Sequence, residues 1–314
     1  MLPVRDGVGA SQVGLPEGPW ACMLDFLVQR FPAIPAAQWR ERMARGDVVD
    51  EAGRRITPGE PYTAHGKLYY YRSVPDEEPS AAPVSVLFED ELLVVADKPH
   101  FLSVTPSGHY LQQTLLVQLR RQLGLDGLTP LHRLDRETAG VVLLAKQPAT
   151  CALYHRLFFS QGVTKTYEAI AARPDGMALQ FPLTRASTLV EGEHFMQMRE
   201  AGGEVAGEAV GTPNASTRIE WLETRGAHAR YRLWPATGKR HQLRVHMAAL
   251  GLPILGDRIY PRLLPHGSDD PANPLRLLAQ AIAFRDPVTG QARSFASRQR
   301  LDFPQAPQAD VVLR

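Results

Sequence analysis

Two cysteines in 314 residues, Cys22 and Cys151, are all the thiol chemistry available to this chain. They lie far apart and fit no zinc or redox spacing, so no disulfide framework is expected and a reducing, cytoplasmic setting is. Residues 1–19 hold no apolar core of a secretory signal. No apolar run approaches the roughly 18–20 residues that cross a bilayer, so no membrane association is expected. Charge of either sign is scarce in excess: 35 Lys and Arg against 33 Asp and Glu leave a net +2. Overall basicity therefore does not point to nucleic acid. Gly-rich phosphate loops and His-Glu-x-x-His are both missing. His241 and His246 are five apart and would not share one helix face, so no metal site is expected. An apolar share of 44% and a charged share of 22% are those of a soluble globular chain.

Distribution says more than totals. Between Lys239 and Arg262 there are five Lys or Arg (Lys239, Arg240, Arg244, Arg258, Arg262) and one acid, Asp257. Such a local excess can neutralise phosphates while the remaining surface stays balanced. From Arg40 to Arg55 five basic residues meet four acids, a weaker patch.

In chain order, residues 1–16 read as a flexible tail and 17–73 as a small α/β module. Trp20 to Phe31 has helical spacing, Ala36–Arg45 reads as a second helix ended by Gly46, and Leu68–Tyr71 as a strand. Pro and acid-rich residues 74–84 read as a linker, and 85–314 as the main domain. That domain opens with a hairpin, Val86–Asp90 and Leu92–Pro99, and Thr114–Leu123 reads as a helix within it. Pro148–Ser160 is predicted helical, with Leu153, Leu157 and Phe158 inward and Tyr154 outward. Gly162–Ile170 alternates as a strand, and Phe181–Arg185 and Phe195–Met198 read as two more. The stretch containing Gly202, Gly203, Gly207 and Gly211 reads as flexible or hairpin-like. Two strands flank Arg225-Gly226. A helix beyond Gly238 buries Leu243, Met247 and Leu250, and Leu277–Phe284 is a late strand before the turn Asp286–Gly290.

The organising stretch is His132-Arg133-Leu134-Asp135-Arg136-Glu137-Thr138-Ala139-Gly140, on the loop entering the apolar strand Val141–Ala145. Six of its first eight side chains are polar or charged, costly unless they face a site or water. Alone, Asp135 could be a turn residue. The whole word resembles the catalytic signature of the RluA-type pseudouridine synthases, with Ala139 where Ser is more usual. Asp97-Lys98-Pro99 resembles the family's first motif, with Lys98 near the active-site cleft or merely a charge at a strand end. Lys165-Thr166-Tyr167-Glu168-Ala169 resembles its second signature, and Gly238 to Tyr260 its third, with Lys239 where Arg is usual. Ala279-Gln280 stands where the family has His-Ala. The resemblance spans about residues 86–300, and the N-terminal module resembles a degenerate alpha-L RNA-binding motif.

The resemblance implies an α+β fold built on a mixed, mostly antiparallel sheet with flanking helices. It implies a protein that isomerises uridine to pseudouridine in ribosomal or transfer RNA, with no cofactor, and nothing in the sequence demands more than a monomer. Asp135 would be the catalytic carboxylate, acting as nucleophile at C1′ or as base on the sugar. Tyr167 would stack on the uracil and assist removal of the C5 proton, and Arg244 would pair with Asp135. An Arg within about 4–6 Å typically lowers a carboxylate pKa by roughly 1–3. Arg133 would displace the target base, and His132, Lys165, Lys239, Arg240 and His241 would contact RNA. Two other readings exist: an RNA-binding protein that has kept the fold without catalysis, or a glycosidase-like hydrolase. The latter needs a second acid, for which Glu137 and Asp257 have no matching motif.

Overall fold

A computed structural model describes residues 2–73, 77, 83–108, 110–202, 204–205, 208–209, 212–265 and 269–304. The chain forms two compact units: Met1–Pro79 with Thr105–Asp126, and Ser80–Val104 with Gly127–Arg314.

In the first unit, β1 (Ser11–Gly14), β3 (Lys67–Tyr70) and β2 (Val48–Val49) form an antiparallel sheet in that order. The helices α1 (Met23–Arg30) and α2 (Ala36–Arg45) complete its core. Trp39, Leu27, Phe26 and Leu68 are essentially inaccessible there. Gly46 closes α2 in the left-handed conformation (φ 75°) that glycine adopts without cost. Residues 1–16, expected as a tail, hold β1 instead. Val13 faces the core, and the register Ser11↔Tyr70 to Gly14↔Lys67 satisfies the backbone.

The third helix, α3 (Leu115–Leu123), belongs to this unit, not to the main domain as its sequence position suggested. Val8 packs with Leu111 and Val117, and Arg120 and Arg121 donate to the Gly7 and Asp6 carbonyls. Glu77 accepts from the backbone N–H groups of Leu111, Gln112 and Gln113. The rest of the expected linker lies outside the described residues, apart from residues 83–84. The basic patch of this unit is largely committed: Arg45 and Arg54 are ion-paired and Arg42 is buried.

The second unit contains β4 (Ser85–Glu89), β5 (Leu93–Lys98), β6 (Thr129–Pro130), β7 (Ala139–Ala145), α4 (Cys151–Phe159), β8 (Val163–Ala172) and β9 (Leu183–Ser187). It continues with β10 (Leu189–Glu191), β11 (Met198–Glu200), β12 (Glu204–Val205), β13 (Glu208–Ala209), β14 (Ala215–Arg225) and β15 (His228–Pro235). The helix α5 (Gln242–Ala249) and strands β16 (Leu277–Arg285) and β17 (Ala292–Ala296) complete it. Its main sheet runs β4-β5-β7-β16-β8-β15-β14-β9, with β6 on β7 and β17 on β16. Only β7 and β16 are parallel among these described pairs. This is the expected mixed, mostly antiparallel α+β sheet.

Continuous apolar sequence explains why β7 and the Leu93–Ala96 part of β5 are buried, while Asp97 and Lys98 at the end of β5 are buried under hydrogen bonds. Gly140 in β7 has φ 116°, and a Cβ there would lie 2.2 Å from the Ala279 carbonyl oxygen of β16. Only glycine permits that approach. Tyr154 departs from expectation: it is 1% exposed and donates to Asp286 at 3.0 Å. Its ring has a polar partner waiting inside, which lets the aromatic residue turn inward. The predicted strand at Phe195 is a tip instead, for β11 starts only at Met198. Of the glycine-rich stretch, Gly203, Gly207 and Gly211 lie outside the described residues.

Candidate active site

All the residues singled out for chemistry fall in the second unit. Asp135 opens a turn in which its carbonyl accepts the Thr138 N–H. The carbonyls inside that turn are pinned from β5 and the loop after it. Lys98, 0% exposed, donates to the Pro99, Leu102 and Arg136 carbonyls at 3.0, 2.8 and 3.1 Å. His100 Nδ1 lies 2.6 Å from the Glu137 carbonyl. Burial pushes the Lys98 pKa down to about 7, but a neutral amine has two hydrogens for three acceptors, so this geometry requires the ammonium. Lys98 is thus neither a surface charge nor a cleft residue; it fastens the backbone beside Asp135.

Tyr167 reaches the same neighbourhood through the sheet. Ala279 of β16 stands opposite Gly140 on one side and Tyr167 on the other. One rung therefore aligns the strand that follows Asp135 with the strand that carries Tyr167. The ring is half-buried. Burial, and then the Asp135 charge, raise the phenol pKa, so at neutral pH Tyr167 is protonated and is a stacking surface or a donor rather than a ready base.

Arg244 projects from α5 with a side chain 1% exposed. Its Nη1 is 3.4 Å from Asp135 Oδ2, the expected pairing, and 3.6 Å from Glu137 Oε2. Its main partner was not foreseen. Nε and Nη2 donate to the two oxygens of Asp257 at 2.8 and 2.7 Å, with the Asp257 side chain 0% exposed. Asp257 also accepts from the Ile259 and Tyr260 N–H groups. Burial works against the Arg244 charge, but the Asp257 hydrogen bonds and the charges of Asp257, Asp135 and Glu137 prevail and raise its pKa. Gly256, at φ 77° and with no room for a Cβ against the Pro274 carbonyl, sets the turn that delivers Asp257. The sequence held one signal for this pair: Asp257 was the sole acid in a basic stretch.

His241 sits before α5 in the left-handed conformation (φ 55°), which delays the helix start beyond the expected position. Its Nε2 is 3.9 Å from Asp135 Oδ1 and its Nδ1 3.0 Å from the Tyr260 hydroxyl. Gln242, 4% exposed, holds the preceding loop by accepting from Thr237 Oγ1 and the Lys239 N–H and donating to the Ser216 carbonyl. Sequence reasoning gave it no role.

The expected RNA contacts divide. Arg133, Lys239 and Arg240 are exposed. Arg133 forms no ion pair or hydrogen bond among the described residues, and Arg240 donates to the Phe195 carbonyl. Lys165 is half-buried and tethers the Thr237 carbonyl at 2.9 Å. His132 accepts the Leu143 N–H on Nε2 and stacks on Phe158, and burial pushes its pKa down to about 3. Its ring supports the loop from inside. No group of three or more His, Cys, Asp or Glu among the described residues could hold a metal ion. No helix there is long and apolar enough to cross a membrane.

A family model described as RNA pseudouridylate synthase matches residues 92–249. An uncharacterised RNA pseudouridine synthase of Synechocystis is 31% identical over 76% of this chain and 79% of its own length. The ribosomal large subunit pseudouridine synthase D of Vibrio cholerae is 28% identical over 80% of this chain and 77% of its own. Among solved structures, human RNA pseudouridylate synthase domain containing 4 superposes with a TM-score of 0.53 at 26% identity, covering 68% of this chain and 88% of that one.

Proposed function

The chain belongs to the RNA pseudouridylate synthase family, whose reaction isomerises uridine in RNA, and from that premise we propose that Asp135 is the reacting carboxylate, on ribosomal or transfer RNA. In this reaction the N1–C1′ bond breaks, the uracil turns, C5 joins C1′, C5 loses a proton and N1 gains one. The formula is unchanged, so no water or second substrate enters. The observation that carries the assignment is the environment of Asp135. Its carboxylate is 27% exposed, and one oxygen faces the buried Arg244 guanidinium. A carboxylate that faces a buried cation yet stays reachable suits either attack on C1′ or proton abstraction from the sugar.

Asp257 does not supply the second acid that a hydrolase needs. Asp257 is sealed behind Arg244 and has its oxygens taken, so it is no free partner acid. Arg133, exposed and two residues before Asp135, is placed in sequence to enter the stack as the target base leaves, a step costing a few kcal/mol. Lys239 and Arg240 supply phosphate contacts on the loop before α5. The protein acts as a monomer in the cytoplasm.

Tritium release from RNA labelled at uridine C5 tests this, on separate ribosomal and transfer RNA transcripts. Wild type should release tritium from one of them. Asp135→Asn should release none while binding that RNA within about threefold, since the reacting carboxylate contributes to the transition state and little to binding. Substantial turnover by Asp135→Asn would sink the assignment.

A further inference from the structure

The Tyr260 hydroxyl is the middle link of a chain that starts on the β10–β11 hairpin and ends at Asp135. Its oxygen accepts the Met198 N–H at 2.7 Å. The phenol has one hydrogen, and His241 Nδ1 lies 3.0 Å away to receive it. An imidazole that accepts on Nδ1 and is neutral carries its proton on Nε2. That nitrogen is the one 3.9 Å from Asp135 Oδ1. The arrangement is braced on several sides. The His241 ring stands edge-on to Tyr260 at 86°, and the Arg244 guanidinium covers the Tyr260 ring at 5.5 Å. Gln197 Nε2 donates to the Ile259 carbonyl, fastening the hairpin beside Tyr260.

We propose that His241 is a positioning residue for Asp135, presenting Nε2–H to Oδ1 while Arg244 Nη1 holds Oδ2, with the Tyr260 hydroxyl selecting the tautomer. The carboxylate is then steered from both sides, and its orientation depends on how the β10–β11 hairpin is seated. At 3.9 Å the contact is open, as catalytic contacts often are before substrate binds. The charged groups facing His241 are Asp135 from the signature loop, Arg244 from α5, Arg240 beside it and Asp257 from the turn after Gly256. Burial, then the two arginines against the two acids, lowers the His241 pKa, which favours the neutral ring that the scheme requires. A role in RNA contact alone would leave the buried Nδ1 link without purpose. The inference rests on Asp135 being the reacting group.

The test is nitrogen NMR of the full-length protein with labelled histidines, the His241 signals identified by their loss in His241→Gln. Near neutral pH the wild-type ring should be the Nε2–H tautomer, and Tyr260→Phe should shift population toward Nδ1–H. In single-turnover and steady-state assays, His241→Ala should lower kcat about 10- to 100-fold, the range for a hydrogen bond to a charged group. KM should stay within about threefold. His241→Gln, whose amide can donate to Asp135, should recover most of the rate. A wild-type Nδ1–H tautomer or imidazolium, or an unaltered kcat in His241→Ala, overturns the role of His241. An active Asp135→Asn overturns the assignment of Asp135 itself, so the two failures are distinguishable.

Discussion

Two of the nitrogens of the Arg244 guanidinium face Asp257, and only Nη1 turns to Asp135. Asp257 therefore decides where the cation points. Asp257→Asn keeps the shape but withdraws the charge opposite a guanidinium that has no access to water. Removing one partner of a buried pair typically costs about 3–5 kcal/mol. It also leaves Arg244 to Asp135 and Glu137. Asp257→Asn should therefore melt several degrees lower, and its kcat should fall at least about tenfold while RNA affinity holds, as for loss of transition-state alignment. Thermal melting and steady-state kinetics on the same preparation check both; an unchanged kcat would show that Asp257 does not orient Arg244. At this scale the sequence named Asp135, Tyr167 and Arg244 because their motifs are contiguous words. Asp257, Gln242 and Tyr260 escaped because their roles exist only once α5, β14 and the Gly256 turn are packed together. The surroundings of His132 and Lys98 escaped for a related reason. Charged or titratable residues in a signature suggest surface contact, whereas Lys98 is buried, His132 is half-buried, and each is hydrogen-bonded to the backbone.

Between elements, the rung Gly140–Ala279–Tyr167 is what brings the signature loop and the Tyr167 strand together. The strands β7, β8, β14 and β15 were legible from apolar runs and alternation. Their order was not, since β16 enters between β7 and β8 from more than 100 residues away in the chain. Nor was the allegiance of α3, whose apolar face fits either unit by periodicity and is decided by Val8, Leu111 and Glu77. Gly140→Ala tests the rung. A Cβ at this position meets backbone, the Ala279 carbonyl oxygen at 2.2 Å, so no side chain can move aside. The conformation alone costs about 1–3 kcal/mol for a residue with a side chain, and separating β7 from β16 adds to it. The variant should melt markedly lower and lose activity together with stability, while Gly59→Ala, in a turn with open space around it and no left-handed backbone, should leave the rate unchanged. Equal melting temperatures for Gly140→Ala and wild type would remove the rung from the account.

The second unit as a whole carries two histidines that must remain neutral for it to stay packed. His132 Nε2 accepts the Leu143 N–H, which a protonated ring cannot do, and its pKa is pushed down to about 3 by burial, with Lys165 adding to the effect. His246, 0% exposed, joins α5 to β14 and β9 through Thr217 Oγ1 at 2.9 Å and Ser187 Oγ at 3.1 Å. Burial pushes its pKa down to about 4. In the unfolded chain both titrate near 6.5. The native state therefore binds fewer protons than the unfolded state below that value. Their contribution to stability is full above pH 6.5 and is lost progressively as pH falls toward the folded values of about 4 and 3. At pH 5.5 each histidine should have cost on the order of 1 kcal/mol. That window lies above the range in which Asp90, Glu200 and Asp286 titrate, since each has its carboxyl pKa lowered in the fold. With roughly 2–4 °C per kcal/mol for a unit of this size, the melting temperature should drop by roughly 4–8 °C between pH 7.5 and pH 5.5. His246→Gln, which can still bond to Thr217 but cannot titrate, should melt lower at the upper pH and lose less on acidification. Calorimetry at several pH values decides it. A flat profile across the window, or a slope in His246→Gln equal to that of wild type, would mean that the burial of these rings is not linked to folding.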